Sequence, residues 1–359
     1  MKKFLLLLSV LYSIQALATV RTVSNTPATI AQFNTIQAAI DAASSGDTVY
    51  VHGSPNNYAG FIVNDKKLTI IGPGWAPPKS LPLKANIISA IQLYGAGASG
   101  TEIQGLSIFA GVNIGSSGVN NIRIIRNKLF QSHFFLAPLN GGHLSGYLFE
   151  GNHFENAALI SNYMITLENM LFQNNIFYES GCCIGSSVTG FINSVNVLFD
   201  HNLWYGPSAT PRPAFENNCR FLTLANNIFV RRNPATALSG SSFYNNITYN
   251  TGDDAPWASN GNFDGGGNKA GIDPQMAAQA SVDGGVNDPL LDFSIAAGPA
   301  NNAGSDGKDI GLLYDANGSL NWTYSRASRL PYIFSFQTNT PTTVPGGSIS
   351  ITVEARTNN

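Results

Sequence analysis

Charge is scarce in this chain. Asp, Glu, Lys and Arg make up 11% of its 359 residues, against about 25% in an ordinary globular protein. Nineteen basic and 21 acidic residues leave a formal net charge of −2 with no basic stripe, which argues against a nucleic-acid surface. Low charge does not mean disorder here, because 43% of the residues are apolar and they are regularly placed. No stretch after residue 18 is long and apolar enough to span a bilayer. Cysteine is nearly absent. Cys182, Cys183 and Cys219 are an odd number, so at least one thiol is unpaired or intermolecular. Two readings stay open: small buried residues, or one disulfide from Cys219 to Cys182 or Cys183. No His spacing matches these cysteines, so no metal site is expected.

The chain opens with Lys2-Lys3, the apolar run Phe4 to Ile14, and Ala16-Leu17-Ala18. This pattern predicts a signal peptide over 1–18, cleaved before Thr19, and a secreted, periplasmic or cell-surface protein. The segment Asn34 to Ala43 carries Ile36, Ala39, Ile40 and Ala43 at helical spacing, with Asn34 or Thr35 to cap it. Thr48 to Val51 follows as a strand. This helix–strand phrase is expected to cover the open end of what comes next, giving an N-terminal cap over 19–58.

What comes next is a repeat. Segments ending near Asn127, Asn152, Asn175, Asn202, Asn227 and Asn246 share one pattern, their anchors 25, 23, 27, 25 and 19 residues apart by subtraction. Three places before each anchor stand Ile124, Phe149, Phe172, Phe199, Leu224 and Phe243; an earlier copy without the Asn places Ile103 before Leu106. Five before stand Ile122, Tyr147, Met170, Val197 and Leu222, and two after stand Leu129, Phe154, Phe177, Trp204 and Phe229. Units of this length cannot bury their own apolar face, so they must stack as a solenoid. Asn suits the anchor because it tolerates a left-handed bend and because stacked amides can form a ladder. Leu148, Leu171 and Leu198, four before their anchors, form an outward apolar stripe, expected to be covered by a loop or the C-terminal tail rather than left as a binding face.

These columns resemble the right-handed parallel β-helix of the pectin-lyase-like superfamily, over most of the mature chain. The resemblance implies an all-β, single-stranded β-helix over 59–320 with an N-terminal helical cap, closing near 290–314. Two alternating runs, around Tyr332 to Phe336 and Ile349 to Val353, predict a strand pair in 321–359 that packs on the solenoid.

The resemblance also implies an extracellular polysaccharide, most simply an acidic one, as partner, with no membrane span and a monomeric chain. Asp200-His201 resembles the Asp-His element of a family of pectate lyases. Arg232-Asn233-Pro234 resembles the start of their Arg-x-Pro-x-x-Arg element, which would make Arg232 the base for β-elimination; Ala237 stands where the second Arg would be. Calcium enters as a cofactor by this resemblance only. Glu150 and His153 flank Asn152 and are candidates to line a sugar groove with Asp200 and His201. Glu150 and Asp200 sit two coils apart in one column, about 9.6 Å, at the wide limit for an inverting carboxylate pair. Arg123, Arg126 and Lys128 form a candidate basic patch. The alternative is a non-catalytic surface or adhesin-type protein that presents a rigid face.

Overall fold

The computed structural model describes residues 18–27, 29–76, 83–136, 138, 141–180, 187–207, 213–216, 219–234, 238–315, 320–327, 332–338 and 351–356. The expected signal peptide, Cys182, Cys183 and Ala237 lie outside them. Among the described residues no helix is long and apolar enough to cross a membrane.

The chain winds as a parallel β-solenoid of about 9 turns. Three sheets run its length. Sheet 1 follows the path Val20–Val23, Thr48–Val51, Thr69–Ile71, Glu102–Gln104, Arg123–Ile125, Leu148–Glu150, Ile165–Gln173, Asn193–Asp200, Leu222–Ala225, Ser242–Tyr244 and Phe263–Asp264. Sheet 2 runs from Asn86–Ile87 to Ile247–Tyr249, and sheet 3 from Ile62–Asn64 to Phe215–Glu216. The apolar columns stack as their spacing requires. Ile124 pairs with Phe149, Phe149 with Phe172 and Phe172 with Phe199, each at most 1% exposed. The rings of Phe149, Phe172 and Phe199 stack at 4.6 and 4.3 Å, and those of Phe154, Phe177 and Trp204 at 4.6 and 3.8 Å, close to the strand spacing itself.

The anchor asparagines form a continuous interior ladder. Each backbone N–H and side-chain amide donates to the Oδ1 of the next: Asn152 to Asn175 at 2.9 and 3.0 Å, Asn175 to Asn202 at 3.0 and 3.0 Å, Asn202 to Asn227 at 3.0 and 2.9 Å. The second amide hydrogen goes to a backbone carbonyl of the preceding turn, as in Asn202 Nδ2 to Phe172 O at 2.9 Å. Asn268 adds a further rung, with Oδ1 accepting from Asn246. It lies 22 residues beyond Asn246, the last anchor that the sequence pattern marks.

One expectation is corrected. The anchors do not take the left-handed conformation; the residue before each does. Arg126, Asn174, His201, Asn226 and Asn245 have φ of 54, 55, 51, 57 and 51°, and Gly151 has 64°. Asn is needed at the anchor for its amide alone. The bend lies one residue earlier, where Asn and Gly are also favoured.

Thr35 caps the N-terminal helix Ile36–Ala42, its Oγ1 accepting from the Ala38 N–H at 3.2 Å, and Ile36, Ala39 and Ile40 join the solenoid core. At the other end, the sheet path stops at Phe263–Asp264, well before the closing coil expected at 290–314. Residues 276–312 lie instead against the outer face of sheet 2. There Met276, Val282, Phe293, Ile295, Ile310 and Leu312 share a second core with Ile176, Tyr178, Leu203, Tyr205, Ile228 and Val230. Tyr332–Thr338 and Ile351–Arg356 pair antiparallel, as the alternation in the tail predicts.

Candidate functional site

The left-handed ridge between sheets 1 and 2 carries His201, with Asp200 beside it, and it is occupied by the chain itself. A strap, residues 303–313, runs along it from later turns to earlier ones. Asn245 Nδ2 donates to Ala303 O at 2.8 Å. Asn226 accepts from Ser305 N at 2.8 Å and donates to Ser305 Oγ at 3.0 Å. His201 Nδ1 meets Gly311 O at 3.0 Å, and Asn174 Oδ1 accepts from Leu313 N at 2.8 Å. A left-handed bend aims its side chain off the barrel corner, which is where a strap can be gripped. Gly311 has φ 95°, and a Cβ there would fall 2.5 Å from Ile228 Cδ1, so only glycine allows this close a crossing.

His201 is therefore a clasp. A carbonyl only accepts, so Nδ1 carries the proton toward Gly311. Nε2 then lies 3.8 Å from Asp200 Oδ1 and 3.4 Å from Asp306 Oδ2. Asp200 accepts from Asn226 Nδ2 at 2.8 Å and from Gln173 Nε2 at 3.4 Å. Burial pushes the Asp200 carboxyl above its ordinary value; His201 and these amides pull it down, and Asp306 pushes it up. Calcium asks for six to eight oxygens, and among the described residues no group of three or more His, Cys, Asp or Glu is placed to hold a metal ion.

The other candidates do not converge here. Arg232 is 0% exposed and donates to Ser187 Oγ at 3.2 Å and Pro213 O at 3.3 Å, away from the ridge that holds His201. A base must reach the proton it removes, and buried Arg232 does not reach a groove. His153 is also 0% exposed, under the Trp75 ring at 5.8 Å; burial, and then Lys128, hold it well below the usual imidazole range. It is a neutral interior histidine rather than part of a groove wall. The basic patch is largely compensated: Arg123 pairs with Glu102 at 2.9 Å, Lys128 with Glu155 at 2.5 Å, and Arg126 is buried. Cys219 is a free buried thiol, pushed up to about 11 by burial.

Among the described residues neither the strap nor the second core closes over the outer face of sheet 1. Leu148, Leu171 and Leu198 lie in register across three turns, and beside them Glu150, Gln173 and Asp200 do the same. All six are half-buried. The face is thus an apolar strip next to a strip of amide and carboxylate groups, repeating about every 4.8 Å. The leucine stripe was legible in the sequence, but the cover expected over it is not found among the described residues, where the three leucines are half-buried. Asp306 and the strap were not legible, although the unbroken apolar triplets Ile176-Phe177-Tyr178, Leu203-Trp204-Tyr205 and Ile228-Phe229-Val230 signal a sheet buried on both faces.

No known family model matches the chain, and no curated protein matches it in sequence. Two solved structures align with part of the chain. A rhamnogalacturonan lyase aligns over 65% of this chain and 74% of its own, at 14% identity and a TM-score of 0.35. Pectate lyase Pel9A aligns over 82% of this chain and 95% of its own, at 13% identity and a TM-score of 0.40.

Proposed function

We propose that this chain is an exported β-solenoid that binds an extracellular polysaccharide along the outer face of sheet 1. The observation that carries this reading is the double column of Leu148, Leu171 and Leu198 beside Glu150, Gln173 and Asp200. A sugar ring has an apolar face and a rim of hydroxyls. Leucines suit the first, and amide and carboxylate groups suit the second, once per turn along a polymer. Binding without cleavage is favoured by the burial of Arg232 and His201, because neither offers an accessible base. Chain cleavage keeps one specific support, the raised pKa of the Asp200 carboxyl at the edge of the same face.

The test is electrophoresis through gels carrying pectate, alginate or a neutral glucan, with absorbance near 235 nm followed in parallel. The wild-type protein is expected to be retarded by at least one polymer. Leu171→Asp should weaken that retardation about tenfold with little change in melting temperature, since its side chain is half-buried. Unsaturated product that disappears in Asp200→Asn would favour cleavage. Mobility unaffected by every polymer would sink the proposal.

A further inference from the structure

Where sheet 3 passes into sheet 1, successive turns bend through one left-handed residue each. These are Asn121, Gly146, Asn169, Asn196, Phe221 and Gly240, with φ between 52 and 76°. Asn and Gly take this conformation readily; a Phe takes it under strain. Phe221 is the only Phe, Tyr or Trp with a positive φ among the described residues. Packing offsets little of that strain, because Phe221 is 60% exposed. One edge of its ring rests over Gly240, where a Cβ would fall 3.1 Å from Cε1 and 3.3 Å from Cδ1. A strained apolar residue held out in water, where Asn would serve the fold better, marks a place kept for function. A second aromatic stands nearby. Thr223 pairs with Ser242 and Ser242 with Phe263, so Phe263 ends the column that holds Leu148, Leu171 and Leu198. It is 58% exposed, about 9.6 Å or two strand spacings from Thr223. The outer face of sheet 1 therefore ends, at its late turns, in two open aromatic rings. Charge on that face is one-sided. Arg123 is the one cation in its two outward columns between Glu102 and Phe263, and it is paired with Glu102 at 2.9 Å. The carboxylates of Glu150 and Asp200 stand in the same face.

We propose that Phe221 and Phe263 are stacking platforms for the rings of an uncharged glycan bound along sheet 1. A sugar ring with equatorial hydroxyls shows C–H groups on both faces, and these lie flat on an aromatic ring. Thr223 and Ser242, in the column that leads to Phe263, offer hydroxyls to the sugar rim. On the ridge beside Phe221, the exposed amides of Asn169 and Asn196, joined at 2.7 Å, offer donors and acceptors. An acidic polymer would set its own carboxylates against Glu150 and Asp200, with Arg123 already engaged, so the face discriminates against it. A β-linked glucan meets all of these conditions. The inference rests on the sheet 1 reading above and narrows it, to an uncharged polymer held by aromatic rings at the late turns.

The experiment is electrophoresis of the intact protein through gels carrying hydroxyethyl cellulose or pectate, with a thermal melt of each variant. Wild type is expected to be retarded by the cellulose and about fivefold less by pectate. Phe221→Asn places on the ridge the residue that stands at 169 and 196. It should keep or raise the melting temperature while weakening retardation about fivefold. Phe263→Ala should weaken retardation to a similar extent. Neither variant changes the charge, so mobility reports affinity. Retardation that Phe221→Asn leaves intact overturns the proposal. So does a clear fall in its melting temperature, which would make Phe221 a packing residue. Pectate that retards as strongly as the cellulose, or cellulose that does not retard at all, also overturns it. Leu171→Asp reports on the sheet 1 reading itself. Binding lost in Leu171→Asp but kept in both Phe variants sinks only the present proposal; the opposite result sinks the leucine face.

Discussion

Asn202 shows how much one side chain does in this architecture. Its Oδ1 accepts from two donors on Asn175, and its Nδ2 donates to Asn227 and to Phe172 O. All these partners are buried, so Asn202→Leu strands several of them at about 1–3 kcal/mol each. A destabilisation of about 3 kcal/mol or more is expected from chemical denaturation; a loss below 1 would mean the ladder is decorative. Asp47 offers a pH-dependent test. It accepts from Thr19 N at 2.8 Å, Ser44 N at 3.0 Å and Arg21 Nε at 3.1 Å. The Thr19 bond foremost, then those from Ser44 and Arg21, hold its pKa below 3.8 against burial. A depressed carboxylate contributes stability above its unfolded pKa and loses it as pH falls through the folded one. Asp47→Asn should therefore lower the melting temperature at pH 7, and the gap from wild type should narrow below about pH 3.8. At this scale the anchor column was readable because six asparagines stood in register with apolar columns. The shift of the left-handed bend to the preceding residue was not, since Asn suits both the bend and the ladder.

The strap is the element that the repeat pattern does not announce. Its partners, Asn174, His201, Asn226 and Asn245, recur once per turn, but its own residues, Ala303, Ser305, Gly311 and Leu313, follow no period. Gripping is by side chains rather than a ladder, so single clasps can be released. Asn226→Ala removes the bonds to Ser305 and one to Asp200. Amide hydrogen exchange should then quicken across 303–313 while the ladder amides of Asn175 and Asn202 stay protected. Uniform exchange in both regions would show that the strap is not a separate unit. The same element explains why Asp200-His201, which resembles a catalytic pair in sequence, is tied down here. Asp306 and Gly311 approach it from more than a hundred residues away.

For the molecule as a whole, the solenoid was legible because its defining contacts are between equivalent positions of successive turns. Register follows from period, so Phe149, Phe172 and Phe199 had to stack wherever the turns went. Local signals likewise marked the helix at Ile36–Ala42 and the antiparallel pair at the tail. Nothing local could reveal which outer faces stay open. That depends on where an aperiodic C-terminal segment lies down, and it lies on sheet 2, bringing the Trp322 ring to 6.2 Å from that of Trp75. Periodic contacts are written into the spacing of residues; a cover without period is placed by complementarity to a surface that exists only once the turns have stacked.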